Sequence, residues 1–262
     1  MAAQAGGFAA ALIVGGALTE YGPWPTRLCF WVLAGLLAAL TVAAWFLPRQ
    51  RFSDENAAWR PRMPSVPKDA RRAFATASTA MIVAYTFGVL VLSLGGQVEH
   101  DLIGSPNALL NGAVIALFPV ALGLIGIVAK GLSPRAALNV GSIASVLGMG
   151  LLVLAVSRHD LLIYLVATAT AGGSYSLLFA GGLRLIDLAG SSHHRGAVFS
   201  ALHLVGYLSM AALALVLGAV ATARGLGVAI GLGATAISLM SLVTIVLTAT
   251  TRSDAPKIKR AR

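Results

Sequence analysis

Residues 48–72 read PRQRFSDENAAWRPRMPSVPKDARR, and they form the one long segment in which charge, proline and polarity collect. Seven cations stand against three acids, and Pro61, Pro64 and Pro67 interrupt any helix through its second half. The sequence turns strongly apolar on both sides. Because Lys and Arg beside apolar spans resist translocation, the segment is predicted to be a linker on the cytoplasmic side of a bilayer.

The composition indicates an integral membrane protein. Of 262 residues, 58% are hydrophobic and only 11% are charged, whereas soluble domains are about a quarter charged. The mean hydropathy is +0.85. A net charge of +10 is also typical of nucleic-acid binding. Here the cations lie at the ends of apolar spans, so the lipid bilayer is the predicted partner and nucleic acid is not.

Eight apolar segments have about the 20 residues that a membrane helix requires. Two precede the linker, at 1–18 and 28–47, with a tight turn predicted over 19–27. Six follow it, at 73–96, 108–129, 136–157, 161–183, 197–220 and 226–249. The predicted fold class is an all-α polytopic membrane protein.

The cations assign the sides of the membrane. With the linker placed inside, alternating spans leave 16 Lys and Arg on the inside and 3 on the outside, and so strong a bias fixes orientation. The prediction is a multi-pass protein of the cell membrane with linker and C-terminus cytoplasmic. Its parts are two helices (1–47), the linker (48–72), six helices (73–251) and a basic tail (252–262).

Three stretches resemble the major facilitator superfamily. GGALTEYGPWPTRLCFWV (15–32) resembles the end of the family's fifth helix, the outer turn and the start of the sixth. GIVAKGLSPRAAL (126–138) is similar to the second copy of its cytoplasmic GxxxDRxGRR loop, with Lys130 in place of the usual acid and Arg135 near the trailing basic positions. RGAVFSALHLVGYLSMA (195–211) resembles the start of the eleventh helix of drug-efflux members.

The resemblance implies a secondary transporter that exports drugs or small molecules by proton antiport. It also implies two six-helix halves around a central cavity, each built from inverted three-helix repeats. On this expectation residues 73–249 form one complete half and residues 1–47 only the last two helices of the other. Three alternatives follow: a truncated product that does not transport, a half that pairs with a polypeptide supplying the missing helices, or an oligomer.

Polar side chains inside spans are candidate substrate contacts, because hydrocarbon penalises a polar group without a partner. The candidates are Tyr85, Asn111, Tyr175, His203 and Tyr207. Imidazole changes protonation near neutral pH, so His203 is a candidate for proton coupling, and the alternative is a neutral histidine bonded to a neighbouring helix. The aromatic rings suit an amphipathic or cationic substrate, or they pack between helices. Asn111 suits a cap or a gate contact equally well.

Charged residues at inside helix ends are candidates for a cytoplasmic gate: Lys130, Arg135, Arg184, Asp187 and Arg195. The alternative is positive-inside anchoring with a surface ion pair, worth less than about 1 kcal/mol. His193 and His194 lack further ligands at metal-binding spacing. No metal or other cofactor is predicted, and an enzyme is disfavoured because no cluster of carboxylates, histidines or cysteines lies at a membrane face.

Small residues recur at helix-packing distance. Gly141, Ser145 and Gly148 share one span, and Gly227 and Gly231 share another. Such residues let helix backbones approach closely, so both sets are predicted to lie at helix contacts.

Overall fold

The computed structural model describes residues 2–24, 27–46, 70–104, 107–189 and 195–250. Within them the regular structure is helical. The α-helices are α1 Ala2–Tyr21, α2 Leu28–Trp45, α3 Arg71–Ile103, α4 Ala108–Val128, α5 Pro134–Arg158, α6 Leu161–Ala189, α7 Arg195–Arg224 and α8 Leu226–Thr250. Most of the linker and all of the tail lie outside the described residues, so the domain boundaries there stay predictions.

Each of these helices contains a stretch long and apolar enough to cross a bilayer. The predicted fold class, an all-α polytopic membrane protein, is confirmed. Inside hydrocarbon a helix satisfies every backbone donor and acceptor internally, which is why the apolar runs fold this way. Serine and threonine hydroxyls on several helices follow the same rule by donating to a carbonyl one turn earlier, as Thr86 does to Ile82 at 2.6 Å.

Short polar segments separate the helices and cap their ends. The side chain of Asn107 accepts from Leu110 N at the start of α4, and Ser133 accepts from Ala136 N at the start of α5. Asp160 does the same for the first turn of α6. Gly225, with φ +91°, makes the turn between α7 and α8, where a residue with a Cβ would be strained.

Four helices, α1, α3, α6 and α7, end three or more residues beyond their predicted bounds, and the ends of α3 and α1 also move predicted loop residues into a helix. α3 continues to Ile103, so Glu99 and Asp101 lie in its last turns and not in an outside loop. α1 continues to Tyr21, so the turn before α2 begins at Gly22. In both cases the helix extends beyond its apolar run, because a helical backbone remains hydrogen-bonded where it emerges from hydrocarbon.

Helices α3 to α8 pack as two interlocked three-helix repeats. α3 and α6, the first helices of the repeats, are the most buried and contact each other at the centre. The middle helix of each repeat packs on the first helix of the other repeat, so α4 packs on α6 and α7 packs on α3. The last helices cross in the same way, with α5 on α6 and α8 on α3. This pattern matches the repeat construction that the resemblance implies.

α1 lies against α4 along a seam of small residues, which we call the α1–α4 seam. A Cβ added to Gly112 would lie 2.5 Å from the Leu12 carbonyl oxygen, and one added to Gly16 would lie 2.6 Å from that of Ala108. The glycines therefore permit backbone-to-backbone contact. At the outer end, Ala108 N donates to the Glu20 carboxylate at 2.8 Å.

Of the two predicted small-residue contacts, the one in α5 is confirmed and the one in α8 is not. Added Cβ atoms would meet Leu178 at Gly141 and Phe87 at Gly148, which confirms both as contact positions. Gly227 and Gly231 have nothing within 4 Å of an added Cβ, so that prediction is wrong. The close approach on α8 is made instead by Gly233, whose Cβ would lie 2.5 Å from Leu90, because it is Gly233 that faces α3.

Candidate functional site

Six rings from four helices meet near the middle of the six-helix bundle, and we call them the aromatic cluster. They are Tyr85 of α3, Phe118 of α4, Tyr175 and Phe179 of α6, and His203 and Tyr207 of α7. Four of the five predicted substrate contacts belong to it. The interlocked repeats explain the meeting, because α3 and α6 are central and each carries one middle helix.

Tyr85 is the centre of the cluster. Its ring centroid lies 4.9 Å from Tyr207 in an edge-to-face arrangement, 6.0 Å from Tyr175 and 6.2 Å from Phe179. Tyr175 stacks on Phe179 at 5.9 Å with 12° between the planes, and Phe118 meets the edge of Tyr175 at 5.8 Å. These are the separations at which aromatic pairs attract beyond simple burial.

Two glycines leave the space that the aromatic rings occupy. A Cβ on Gly206 of α7 would lie 3.0 Å from the Tyr85 ring, and a Cβ on Gly88 of α3 would lie 3.2 Å from the Tyr175 ring. Either contact is tighter than side chains ordinarily make, so a larger residue at either position would displace a tyrosine.

His203 makes its hydrogen bond within its own helix. Its Nδ1 lies 2.9 Å from the Phe199 carbonyl oxygen, and a carbonyl can only accept, so Nδ1 carries a proton. In the neutral ring Nε2 then has its lone pair available for a second proton. The prediction of a bond to a neighbouring helix is therefore replaced by a bond one turn back along α7, and the ring centroid lies 6.0 Å from that of Phe179.

Exposure rises across the cluster from α3 to α7. Tyr85 and Phe179 are buried, Tyr175 and His203 are partly buried, and Tyr207 is 53% exposed. Beside Tyr207 on α7, Leu204 and Leu208 are also exposed. The cluster is thus walled by α3, α4 and α6 and is open along α7.

Asn111, the fifth predicted contact, lies elsewhere on α4. It is about 10 Å along the helix from Phe118, at seven residues of 1.5 Å each, and next to Gly112 of the α1–α4 seam. Its Oδ1 is buried without a hydrogen-bond partner among the described residues. A buried amide oxygen without a partner is costly, so Asn111 stays a candidate gate or substrate contact separate from the cluster.

Phe118 and Phe179 were not among the sequence predictions. A phenylalanine in an apolar span carries no polar signal, and it faces lipid as often as it faces the protein. For Phe179 a signal existed, because it lies one turn after Tyr175 and so shares its face. Phe118 lies on a helix that contributes no other ring, and nothing in its spacing indicates the cluster.

Three of the five candidate gate residues, Lys130, Arg135 and Arg184, lie at the turn between α4 and α5. Arg184 Nη1 donates to the carbonyl oxygens of Lys130 at 3.1 Å and Leu132 at 3.3 Å. α6 is thereby tied to the α4–α5 turn of its own half. Lys130 and Asp187 are exposed and Arg135 is partly buried. Arg195 begins α7, and its side chain lies outside the description, as do His193 and His194.

The described residues hold no group of three or more His, Cys, Asp or Glu side chains that could bind a metal ion. The chemistry available in the aromatic cluster is stacking, cation–π attraction and hydrogen bonding by tyrosine and imidazole.

Comparison with known proteins gives one match. The family model described as Major Facilitator Superfamily matches residues 1–214, which include α1 to α6 and most of α7. No curated protein matches the chain.

Proposed function

The chain belongs to the major facilitator superfamily, and we propose that it supplies one wall of a secondary transporter that exports amphipathic aromatic cations in exchange for protons. Family membership and the eight apolar helices make it a multi-pass membrane protein of a transporter family. Members of that family are transporters and not enzymes. The substrate class, the direction of transport and the coupling ion are our proposal.

The aromatic cluster carries the proposal. Its tyrosine and phenylalanine rings present faces and edges at the centre of the bundle, and a cation over such a face is attracted by about 0.5–2 kcal/mol. The described residues of the cluster include no carboxylate, so discrimination would depend on shape and stacking. Amphipathic aromatic cations are the ligands that fit these properties.

His203 supports the proton part of the proposal. Middle sections of the six spans carry no Asp or Glu, which leaves imidazole as the group there that can take up a proton near neutral pH. Protonation at Nε2 would place a positive charge about 6 Å from the rings of Phe179 and Tyr207. A second cation in the cluster would then be repelled, and this repulsion would couple proton entry to substrate release.

The exposed side of α7 supports the alternative in which the chain pairs with a polypeptide that supplies further helices. A cluster open along one helix encloses its ligand on three sides only, and pockets for such ligands bury most of their surface. A second wall laid against Tyr207, Leu204 and Leu208 would complete the site. A plasma-membrane location with linker and tail cytoplasmic fits this proposal.

The test is binding of tetraphenylphosphonium to the purified chain in detergent. Tyr175→Leu removes a partly buried ring that stacks on Phe179, and we expect it to raise the dissociation constant about tenfold. Tyr21→Leu is the matched control, because Tyr21 is an exposed tyrosine at the end of α1. Equal binding by both variants would contradict the proposed site.

A further inference from the structure

Two cavities lie along the contact between α3 and α8. One, of about 280 Å³, is lined by Ile82 and Thr86 of α3, by Ala236 and Met240 of α8 and by α7 around Val216. The other, of about 360 Å³, lies towards the start of α3. Its lining residues are Arg72, Ala75, Thr76, Leu247 and Thr250.

The cavities are the two ends of one groove, which we call the α3–α8 groove. Ala75, Thr79, Ile82 and Thr86 follow each other at three- and four-residue steps, and so do Ala236, Met240, Val243, Leu247 and Thr250. Such steps place residues on one helix face. Thr79 and Val243 lie between the cavities. Thr79 is partly buried, and Val243 is exposed. At 1.5 Å per residue, Ala75 and Ile82 are about 10 Å apart.

The two ends differ in chemistry. The cavity around Met240 is almost wholly apolar, and the hydroxyl of Thr86 already donates to its own helix. Arg72 lines the other cavity, and both Arg72 and its neighbour Arg71 are exposed. None of the described residues that line either cavity is acidic. An open apolar depression on a membrane helix suits an acyl chain, whereas a guanidinium favours a phosphate.

We propose that the α3–α8 groove binds an anionic phospholipid, with its phosphate at Arg72 and one acyl chain extended along the groove into the apolar cavity. Charge complementarity selects the head group, and the spacing of the two cavities suits a chain that continues from it. Basic residues at a membrane surface attract anionic lipids by about 1 kcal/mol each. The proposal is separate from transport and depends only on the chain lying in a bilayer.

The experiment measures lipid binding to the full-length purified chain by native mass spectrometry. Phosphatidylglycerol is compared with phosphatidylcholine carrying the same acyl chains. We expect preferential binding of phosphatidylglycerol, reduced about fivefold by Arg72→Gln. Arg158→Gln, an equal loss of charge at the exposed end of α5, is expected to leave it unchanged.

A second variant tests the acyl-chain end. Ala236→Phe places a ring in the apolar cavity, and we expect it to reduce binding of both lipids about tenfold, since each excluded methylene is worth about 0.8 kcal/mol. Ala236→Leu serves the same purpose if the larger residue prevents folding, and Arg72→Met, which also removes the charge, replaces Arg72→Gln if that variant does not fold.

Three results would overturn the proposal. Equal loss of both lipids in Arg72→Gln would remove the head-group contact. Unchanged binding in the folded Ala236 variant would show that no chain enters the cavity. Displacement of phosphatidylglycerol by millimolar inorganic phosphate would identify a site for a soluble anion.

Discussion

α4 and α7 hold equivalent places in the two repeats, yet their outer faces differ. α4 is covered by α1, backbone against backbone, at Gly16 and Gly112. α7 has no such cover among the described residues, and Leu208 and Leu215 are 61% and 76% exposed. The difference shows that helices in equivalent places need not be covered alike: α4 packs on protein, whereas the exposed face of α7 is open to lipid or to the second wall that we propose. Tyr207, next to Leu208 along the chain, is 53% exposed, so the proposed second wall would also lie against the candidate site.

The largest expected effect comes from adding a side chain at Gly112, where the backbones of α1 and α4 are in contact. Gly112→Val would place atoms against the Leu12 carbonyl, 2.5 Å from the added Cβ, and we expect a loss of about 3 kcal/mol in the free energy of unfolding. Gly218→Val on α7 is the control, because nothing lies within 4 Å of its Cβ.

Thermal unfolding followed by a thiol-reactive dye measures this effect, because Cys29 is the sole cysteine. Its Sγ lies 3.6 Å from the Gly15 carbonyl oxygen, so it also reports whether α1 stays in place. Equal melting temperatures for the two variants would mean that the α1–α4 seam is not close-packed.

The second prediction concerns the proton-carrying group on α7. His203→Gln keeps a hydrogen-bonding side chain but cannot be protonated, and we expect it to lower flux driven by a pH gradient at least about tenfold between pH 5 and 8. The measurement is ethidium transport by the completed transporter, this chain together with the polypeptide that supplies the second wall, in energised everted vesicles, with tetraphenylphosphonium binding as the control for an intact site. Flux equal to that of the unsubstituted chain across this range would remove His203 from coupling.

The third prediction concerns the clearance between α7 and α3. Gly206→Ala would press on the Tyr85 ring, 3.0 Å from the added Cβ, and shift it by a few tenths of an ångström. We expect tetraphenylphosphonium binding to weaken about threefold, part of a cation–π contribution of about 0.5–2 kcal/mol. Gly196→Ala on the same helix has open space around its Cβ and is expected to bind normally. Equal binding by the two variants would show that the position of Tyr85 is unimportant.

The fourth prediction compares an exposed position of α7 with a buried position of α4, and the first of these has the smallest expected effect on folding. Leu208→Ser on the exposed face of α7 should change the free energy of unfolding by no more than about 0.5 kcal/mol. Leu122→Ser on α4 empties a buried position and should cost about 2 kcal/mol or more. Thermal melting of the purified variants measures both. A large loss in Leu208→Ser would mean that α7 is already covered within the chain.

The sequence predicted the number and approximate bounds of the described spans, because a bilayer imposes one length and one hydropathy on every helix. It could not assign helix faces. Gly141 and Gly227 look alike in sequence, yet Gly141 faces α6 and Gly227 faces nothing within reach. In lipid, outward and inward faces are both apolar, so the periodicity that identifies a core in soluble proteins is weak.

The candidate site was predictable where polarity marked it. The sequence predicted Tyr85, Tyr175, His203 and Tyr207, because a polar group in hydrocarbon is costly unless it contacts a partner or a substrate. Phe118 and Phe179 have no polar atom, and only the crossing of the repeats brings them to the same place. Asn111 carries the same polar signal but lies about 10 Å along α4 from Phe118, because polarity does not show at which depth in the membrane the rings of other helices meet.

The α1–α4 seam has a mechanical consequence. Backbone contact at Gly16 and Gly112 is continued by the side chain of Ala5, whose Cβ lies 3.0 Å from a Cβ added to Gly123, and Glu20 bonds the start of α4. α1 and α4 are therefore expected to move as one unit, and the seam between them can serve as an axis about which the other helices rotate. Any rotation about that axis displaces each helix in proportion to its distance from the axis. Among the described residues α7 packs mainly on α3 and α8, whereas α4 packs on α1, so His203 and Tyr207 would sweep a longer arc than Phe118 of α4.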